Sequence, residues 1–102
     1  MEIDFIEEAS EDYKLLDGRL KKLVKIQMEK LEKNPYVGEA LGNKNNIDLT
    51  GYYKIYFDNK KYRIVYRIVK TEIEIIEIWG IGKKDKMEIY KTVGNRKEKR
   101  NN

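Results

Sequence analysis

The stretch from Tyr52 to Val69 constrains the fold most, because apolar residues alternate along it with basic and aromatic ones. Successive side chains of a β-strand point to opposite faces, so residues two apart share a face. The pattern therefore predicts two neighbouring strands, joined by a turn at Asp58-Asn59-Lys60, with one core face and one basic face. The core face holds Tyr53, Ile55, Phe57, Tyr62, Ile64, Tyr66 and Ile68, and the opposite face carries Lys54, Tyr56, Arg63 and Arg67.

Before these strands, the chain has the pattern of two helices. Ile6, Ala9, Tyr13 and Leu16 recur at helical spacing behind a predicted capping box of Asp4 and Glu7, which itself follows a short strand at Ile3 and Phe5. A second helix begins near the Asp17-Gly18 turn and ends near Asn34, because Pro35 disfavours a helical residue before it. Each helix has a single apolar stripe, so we expect the helical hairpin to pack on the sheet.

The remaining segments complete a predicted α+β, two-layer architecture. Residues 36–51 are rich in glycine and asparagine and are predicted to form a surface loop. Residues 72–81 are predicted to form an interior strand, because the second half of the segment is apolar on both faces, and Gly80 and Gly82 are predicted to end it. A short helix is expected from residue 83 to about Val93, followed by a frayed tail.

Composition limits the chemistry. The chain has 102 residues, no cysteine and no histidine, with 39% charged and 40% hydrophobic residues, as expected of one globular domain spanning 1–102. Disulfides, imidazole catalysis and histidine-ligated metals are thereby excluded, and we expect neither a metal nor another cofactor. No segment has the roughly 20 apolar residues that span a bilayer, and no signal peptide is visible, so we expect a cytoplasmic protein without membrane contacts.

The positive charge is unevenly distributed. Residues 83–102 contain eight Lys or Arg against three Asp or Glu, a net charge of +5, whereas the first seventeen residues are acidic. Lys and Arg neutralise phosphates and tyrosine rings stack on unpaired bases, so the basic face predicts RNA binding. The alternative is that these are ordinary solvent-facing side chains that protect the edges of a sheet. The candidate residues are Lys54, Tyr56, Arg63, Arg67, Lys83, Lys84, Lys86 and Tyr90.

The order of motifs resembles the RelE/ParE toxins of toxin–antitoxin systems. The motifs are two helices, then Leu49-Thr50-Gly51-Tyr52-Tyr53-Lys54-Ile55, Tyr62-Arg63-Ile64-Val65-Tyr66, and Gly82-Lys83-Lys84-Asp85 with Tyr90 six residues after Lys84. The resemblance extends from Ile3 to about Tyr90. It implies a twisted, mainly antiparallel sheet with two helices on one face, an open concave face opposite and a short C-terminal helix.

For RelE-type members, the resemblance implies a metal-independent endoribonuclease that cuts mRNA in the ribosomal A site. The 2′-hydroxyl attacks the adjacent phosphate, which leaves a cyclic phosphate and a free 5′-hydroxyl. By the same resemblance, Lys54 holds the phosphate, Arg63 stabilises the transition state, Lys84 serves the leaving group and Tyr90 orients the scissile nucleotide. Arg67, Lys83 and Lys86 are expected to bind RNA.

This sequence departs from the family pattern at two positions. Tyr56 stands where a second family lysine is often assigned as general base, and it could act as a base only if nearby cations lowered its pKa. Lys84 stands where an arginine is usual, which keeps the charge but loses the planar fork.

The resemblance implies a cognate antitoxin, the ribosome and mRNA as partners, with residues 83–100 as an element that an antitoxin could displace. Two other functions stay open. One is a ParE-like inhibitor of DNA gyrase, although ParE branches generally lack the basic set on the sheet. The other is a degenerate member that only binds RNA or antitoxin.

Overall fold

The computed structural model describes residues 2–85 and 87–101. None of the helices in this part of the chain combines the length and apolar character needed to cross a membrane. In chain order the elements are β1 (Glu2–Phe5), α1 (Glu7–Lys14), α2 (Gly18–Lys33), β2 (Glu39–Lys44), β3 (Ile47–Phe57), β4 (Tyr62–Lys70), β5 (Glu74–Lys83) and α3 (Glu88–Asn101).

Within the described residues the strands form one sheet in the order β1-β5-β4-β3-β2. β1 runs parallel to β5, and the other neighbouring strands are antiparallel. β5 is therefore an interior strand, as its apolar sequence predicts. The β4–β5 register is interrupted between Val65 and Tyr66, because Val65 lies opposite Gly80 and Tyr66 opposite Ile78, so that Trp79 is the extra residue of a bulge.

The N-terminal helical hairpin packs on one face of the sheet, as predicted. Leu20, Val24 and Leu31 of α2 are buried there against apolar side chains of β3, β4 and β5. The Asp17 carboxylate accepts a hydrogen bond of 2.8 Å from the backbone N–H of Leu20 and so caps α2. The predicted capping box at Asp4 is wrong, because Asp4 lies in β1 and the backbone of Ile6 forms the N-terminus of α1 without a side-chain cap.

The opposite face of the sheet is not fully open, because α3 lies on it. Ile89, Tyr90 and Val93 are buried in a second apolar cluster with Val65 and Trp79. The prediction of a short helix with a frayed tail is therefore wrong: α3 continues to Asn101.

The predicted end of β5 at its glycines is also wrong, since the strand extends to Lys83. A Cβ atom on Gly80 would lie 2.8 Å from Val93 and 3.0 Å from Ile89. These glycines therefore allow the helix to approach the strand rather than terminating it.

Residues 36–51 are not a loop, which corrects the prediction from their composition. β2 and the start of β3 form a hairpin across this segment, turning at Asn45 and Asn46, whose φ angles of 50° and 66° asparagine adopts readily. The segment before β2 is fixed by Tyr66, which donates a hydrogen bond to the carbonyl of Pro35 at 2.7 Å and accepts one from the Gly38 N–H at 3.1 Å.

Candidate nucleic-acid interface

The ring of Tyr56 is surrounded by cations on the sheet face that α3 partly covers. In the antiparallel register Tyr56 lies opposite Arg63, and Arg63 lies opposite Gly82, so β3, β4 and the end of β5 converge here. Tyr56 and the four basic residues whose distances follow form what we call the Tyr56 cluster. The distances to the ring centroid are 4.8 Å from Lys54 Nζ, 5.5 Å from the guanidinium carbon of Arg63, 5.5 Å from Lys84 Nζ and 5.9 Å from Lys60 Nζ.

Lys54 and Tyr56 are directly bonded within this cluster. The Lys54 ammonium donates a hydrogen bond of 2.7 Å to the phenolic oxygen of Tyr56, and this bond is the main cause that lowers the pKa of Tyr56. The charges of Lys54, Arg63 and Lys84 act in the same direction. Burial is the largest single influence on the pKa of Lys54 and lowers it, but the hydrogen bond to Tyr56 and the interaction with the phenol of Tyr90 together outweigh burial, so the net shift is upward.

Lys54 also has an anionic neighbour. Its Nζ atom lies 3.6 Å from Glu39, whose side chain is 70% exposed. Because this carboxylate is largely solvated, it holds the lysine weakly.

Arg63 is the buried cation of the cluster. Its side chain is only 7% exposed, and its Nε and Nη1 atoms are buried without a hydrogen-bond partner in the described part of the chain. The ring of Tyr90, itself 3% exposed, packs 4.8 Å from the guanidinium carbon. A buried guanidinium with unpaired donors is costly, and such a group in a folded protein is a candidate for ligand binding.

The arrangement combines the elements that phosphodiester cleavage by an internal hydroxyl requires. Arg63, Lys84 and Lys54 can neutralise charge on a phosphate and on a leaving oxygen. Tyr56, with its lowered pKa, can accept a proton. None of these functions needs a metal ion or a cofactor.

Five of the eight predicted site residues meet in the structure. Lys54, Tyr56, Arg63, Lys84 and Tyr90 lie together. Lys83 is exposed at the end of β5 beside a cleft that Lys84 also lines, and Lys86 lies outside the described residues.

Arg67 lies apart from the Tyr56 cluster. It is four residues from Arg63 along β4, roughly 13 Å of strand. Its Nε donates a hydrogen bond of 2.6 Å to Glu77, and its guanidinium packs 4.9 Å from the ring of Trp79. Arg67 is therefore part of a separate aromatic and charged cluster that already contains a carboxylate.

Lys60 belongs to the cluster but was not among the predicted site residues. The sequence signal was present: Lys60 ends the three-residue turn that links Tyr56 to Arg63, so it had to lie at the same end of the sheet. The alternation along the strands could not predict this position of Lys60, because the two-residue period assigns faces only to strand residues and Lys60 lies in a turn.

Two ion pairs link α3 to α1 across the edge of the sheet. Arg96 donates hydrogen bonds of 2.8 and 3.0 Å to the two carboxylate oxygens of Asp12. Arg100 donates bonds of 2.8 and 2.7 Å to the carboxylate of Glu8, and this pairing lowers the pKa of Glu8 to about 2. The acidic N-terminal segment thus binds the basic C-terminal helix of the same chain.

Comparison with known proteins identifies the family of this chain. Residues 3–87 match the family described as ParE toxin of type II toxin-antitoxin system, parDE. The chain belongs to this toxin family. It is accordingly a toxin of a toxin–antitoxin system in the RelE/ParE superfamily, as the sequence motifs indicate. A search of curated proteins gave no match.

Solved structures of RelE/ParE toxins share the fold. An arginine-to-alanine double mutant of the E. coli toxin RelE in the free state has a TM-score of 0.71 and 21% identity, over 93% of this chain and 95% of that one. The YoeB/ParE toxin from Agrobacterium tumefaciens has a TM-score of 0.67 and 18% identity, over 83% and 100%.

A third relative was solved with its antitoxin. The toxin–antitoxin complex RelBE2 from Mycobacterium tuberculosis has a TM-score of 0.63 and 22% identity, over 81% of this chain and 96% of that one. These similarities confirm the α+β fold with the helical hairpin on one face of the sheet.

Proposed function

We propose that this toxin is an endoribonuclease that cleaves mRNA on the ribosome and is neutralised by a cognate antitoxin. The single observation that carries the proposal is the Tyr56 cluster, in which a proton acceptor and several cations surround one small surface. Arg63 contributes most to the argument, because its buried Nε and Nη1 donors have no partner in the described part of the chain. A phosphate oxygen is the ligand that such donors bind best.

In the proposed reaction the 2′-hydroxyl of one nucleotide attacks the phosphate that follows it. Tyr56, as its phenolate, accepts the hydroxyl proton, and Lys54 stabilises that phenolate through their 2.7 Å hydrogen bond. The new bond joins the 2′-oxygen to phosphorus, and the bond to the 5′-oxygen breaks. The products are a 2′,3′-cyclic phosphate and a free 5′-hydroxyl.

Arg63 and Lys84 act on the charge that develops in this step. The guanidinium of Arg63 binds the non-bridging oxygens of the pentavalent intermediate, where preorganised donors contribute most. Lys84 donates a proton to the leaving 5′-oxygen, which yields the free 5′-hydroxyl. Its ammonium group lies over the same tyrosine ring as Lys54, so both ends of the reacting linkage meet a cation.

Tyr90 controls access to Arg63. Its ring covers the guanidinium, and both side chains are nearly buried. RNA binding therefore requires the ring to move off Arg63, after which it can stack on the scissile base. We therefore assign Tyr90 two roles: it covers Arg63 in the free toxin, and it positions the scissile nucleotide once RNA is bound.

Inhibition of DNA gyrase is the second candidate function, favoured by the match to the ParE toxin description. Only the nuclease function needs the Tyr56 cluster. An inhibitor that only binds gyrase requires neither a tyrosine with a lowered pKa nor a buried arginine with unpaired donors.

Two assays with the purified toxin separate the candidates. In the first, ribosomes programmed with a defined mRNA are incubated with the toxin, and the cleavage position is mapped by primer extension. In the second, the toxin is titrated into a gyrase supercoiling reaction. The proposal predicts a cut in the A-site codon and unchanged supercoiling. Intact mRNA at high toxin concentration, together with inhibited supercoiling, would assign the toxin to the gyrase branch.

A further inference from the structure

The turn between β3 and β4 is strained. Asp58, Asn59 and Lys60 are three consecutive residues with positive φ angles of 54°, 54° and 66°. Asp and Asn tolerate this left-handed conformation, but a lysine pays a steric cost there that glycine or asparagine largely avoids. Strain of this kind persists where surrounding contacts enforce it, and it is concentrated at functional sites.

Contacts from two sides hold the turn in this conformation. Arg19 of α2 donates hydrogen bonds of 2.9 and 3.3 Å to the two carboxylate oxygens of Asp58. On the other side, the backbone N–H of Lys84 donates a bond of 2.7 Å to the carbonyl of Lys61, whose own N–H donates to the carbonyl of Asp58 at 3.0 Å. The turn is thus attached to the helical hairpin and to the segment that follows β5.

The result is a basic cleft beside the Tyr56 cluster. It has a volume of about 650 Å³ and is lined by Lys60, Lys61, Lys83 and Lys84, together with Tyr62 and two aspartates. Of those aspartates, Asp58 is already bound to Arg19. Within residues 2–85 and 87–101, none of the four lysines forms an ion pair.

The cleft and the cluster are continuous. Lys60 and Lys84 line the cleft, and their ammonium groups also lie 5.9 and 5.5 Å from the centroid of the Tyr56 ring. A polyanion that places one phosphate in the cluster therefore places a neighbouring phosphate in the cleft. Unpaired lysines bind phosphates as point charges, without sequence preference.

We propose that the β3–β4 turn is a second phosphate site, in which Lys60, held in a strained conformation, binds an RNA phosphate next to the one that reacts. This inference rests on the proposed nuclease function. It gives Lys60, the one member of the Tyr56 cluster at the turn, a binding role apart from the reaction itself, and it predicts that removing the strained lysine raises stability and weakens RNA binding. The phosphate belongs to the cleaved strand or to ribosomal RNA, which share this chemistry.

The variants Lys60→Asn and Lys60→Gly test the site. Both residues accept the left-handed conformation, so each should raise the Tm, by about 4 °C or more. Each removes the ammonium group, so affinity for RNA should fall about fivefold to tenfold. Lys44→Asn is the matched control, because it removes the same charge from β2 at the opposite end of β3, and it should change neither quantity by more than a small amount.

Affinity is measured without cleavage, by fluorescence anisotropy with an eight-nucleotide RNA carrying 2′-O-methyl groups, over a range of salt concentrations. Loss of one phosphate contact should reduce the slope of log K against log salt by about 0.7. A second arm measures binding to ribosomes. Weaker binding of the Lys60 variants to the oligonucleotide assigns the phosphate to the cleaved strand, and weaker binding to ribosomes alone assigns it to ribosomal RNA.

The proposal is overturned if both Lys60 variants gain stability but bind the oligonucleotide and ribosomes as the wild type does. Lys60 would then be a turn residue only. Failure of the nuclease function has a different signature, namely no mRNA cleavage by the wild type, and the binding measurements still report on the cleft in that case.

Discussion

The Nζ atom of Lys54 donates a 2.7 Å hydrogen bond to the phenolic oxygen of Tyr56, two residues further along β3. Residues two apart in a strand share a face, so the local sequence places both side chains on the same side of the sheet. This hydrogen bond couples the ionisation of the two groups, since the charged ammonium favours the phenolate and the phenolate favours the charged ammonium. The pKa of Tyr56 is lowered and that of Lys54 is raised.

Replacing Tyr56 by Phe should remove the general base and lower the rate of mRNA cleavage by about 100-fold to 10,000-fold. In the wild type, the rate should rise with pH as the phenol ionises, with an inflection below the ordinary tyrosine pKa of about 10. That rise should be absent in Tyr56→Phe. Single-turnover cleavage measured from neutral to alkaline pH tests both effects.

The control for this variant is Tyr36→Phe, since Tyr36 contacts Tyr53 on the opposite face of the sheet. It should retain both the wild-type rate and its pH dependence. A Tyr56→Phe variant with an unchanged alkaline rise would show that another group is the base.

The ion pair between Glu8 and Arg100 should make stability depend on acidic pH. The hydrogen bonds from Arg100 are the main cause that lowers the pKa of Glu8 to about 2, below its ordinary 4.5. The pair therefore stabilises the fold above about pH 4.5, and this contribution is lost as the pH falls towards 2. Because both side chains are about one-third exposed, Glu8→Gln should cost about 0.5–1 kcal/mol at pH 7.

Urea unfolding at pH 7 and at pH 3 measures this difference. Glu11→Gln is the comparison, because Glu11 forms a more exposed pair with Lys14 and should change stability little at either pH. An equal cost of Glu8→Gln at both pH values would contradict the assignment.

Gly80→Ala should displace α3 from the sheet. The added Cβ atom would lie 2.8 Å from Val93 and 3.0 Å from Ile89, both of α3, and such overpacking costs about 1–3 kcal/mol. Trp79 is the only tryptophan of the chain, and Arg100 of α3 packs 5.4 Å from its ring, so its fluorescence reports whether the helix is docked.

Gly18→Ala provides the matched control. In the described part of the chain, no heavy atom beyond its chain neighbours and the backbone of its own helix lies within 4 Å of the added Cβ, and alanine in α2 should be neutral or stabilising. Unchanged fluorescence and stability in Gly80→Ala would mean that α3 adjusts without cost.

The strand alternation predicted the face on which Lys54, Tyr56 and Arg63 lie, because two-residue periodicity is a local property. It could not predict that α3 covers this face. That packing depends on Gly80, but a glycine in a strand sequence usually indicates the end of the strand and not a site where a helix packs closely. It also depends on the ion pair between Asp12 and Arg96, which are 84 residues apart in the sequence. Glycine and asparagine between residues 36 and 51 likewise indicated a loop, whereas they form the turn and irregularities of a hairpin.

The central claim is that Arg63 binds the reacting phosphate, and the rate of A-site mRNA cleavage by Arg63→Met tests it most directly. Methionine keeps the apolar stem beside Tyr90 and removes a buried charge whose Nε and Nη1 have no partner in the described part of the chain, so the fold should be at least as stable. We predict a loss of about 100-fold or more. Arg67→Met, which removes a guanidinium already paired with Glu77, should lose less than tenfold. Cleavage by folded Arg63→Met at the wild-type rate would contradict the account.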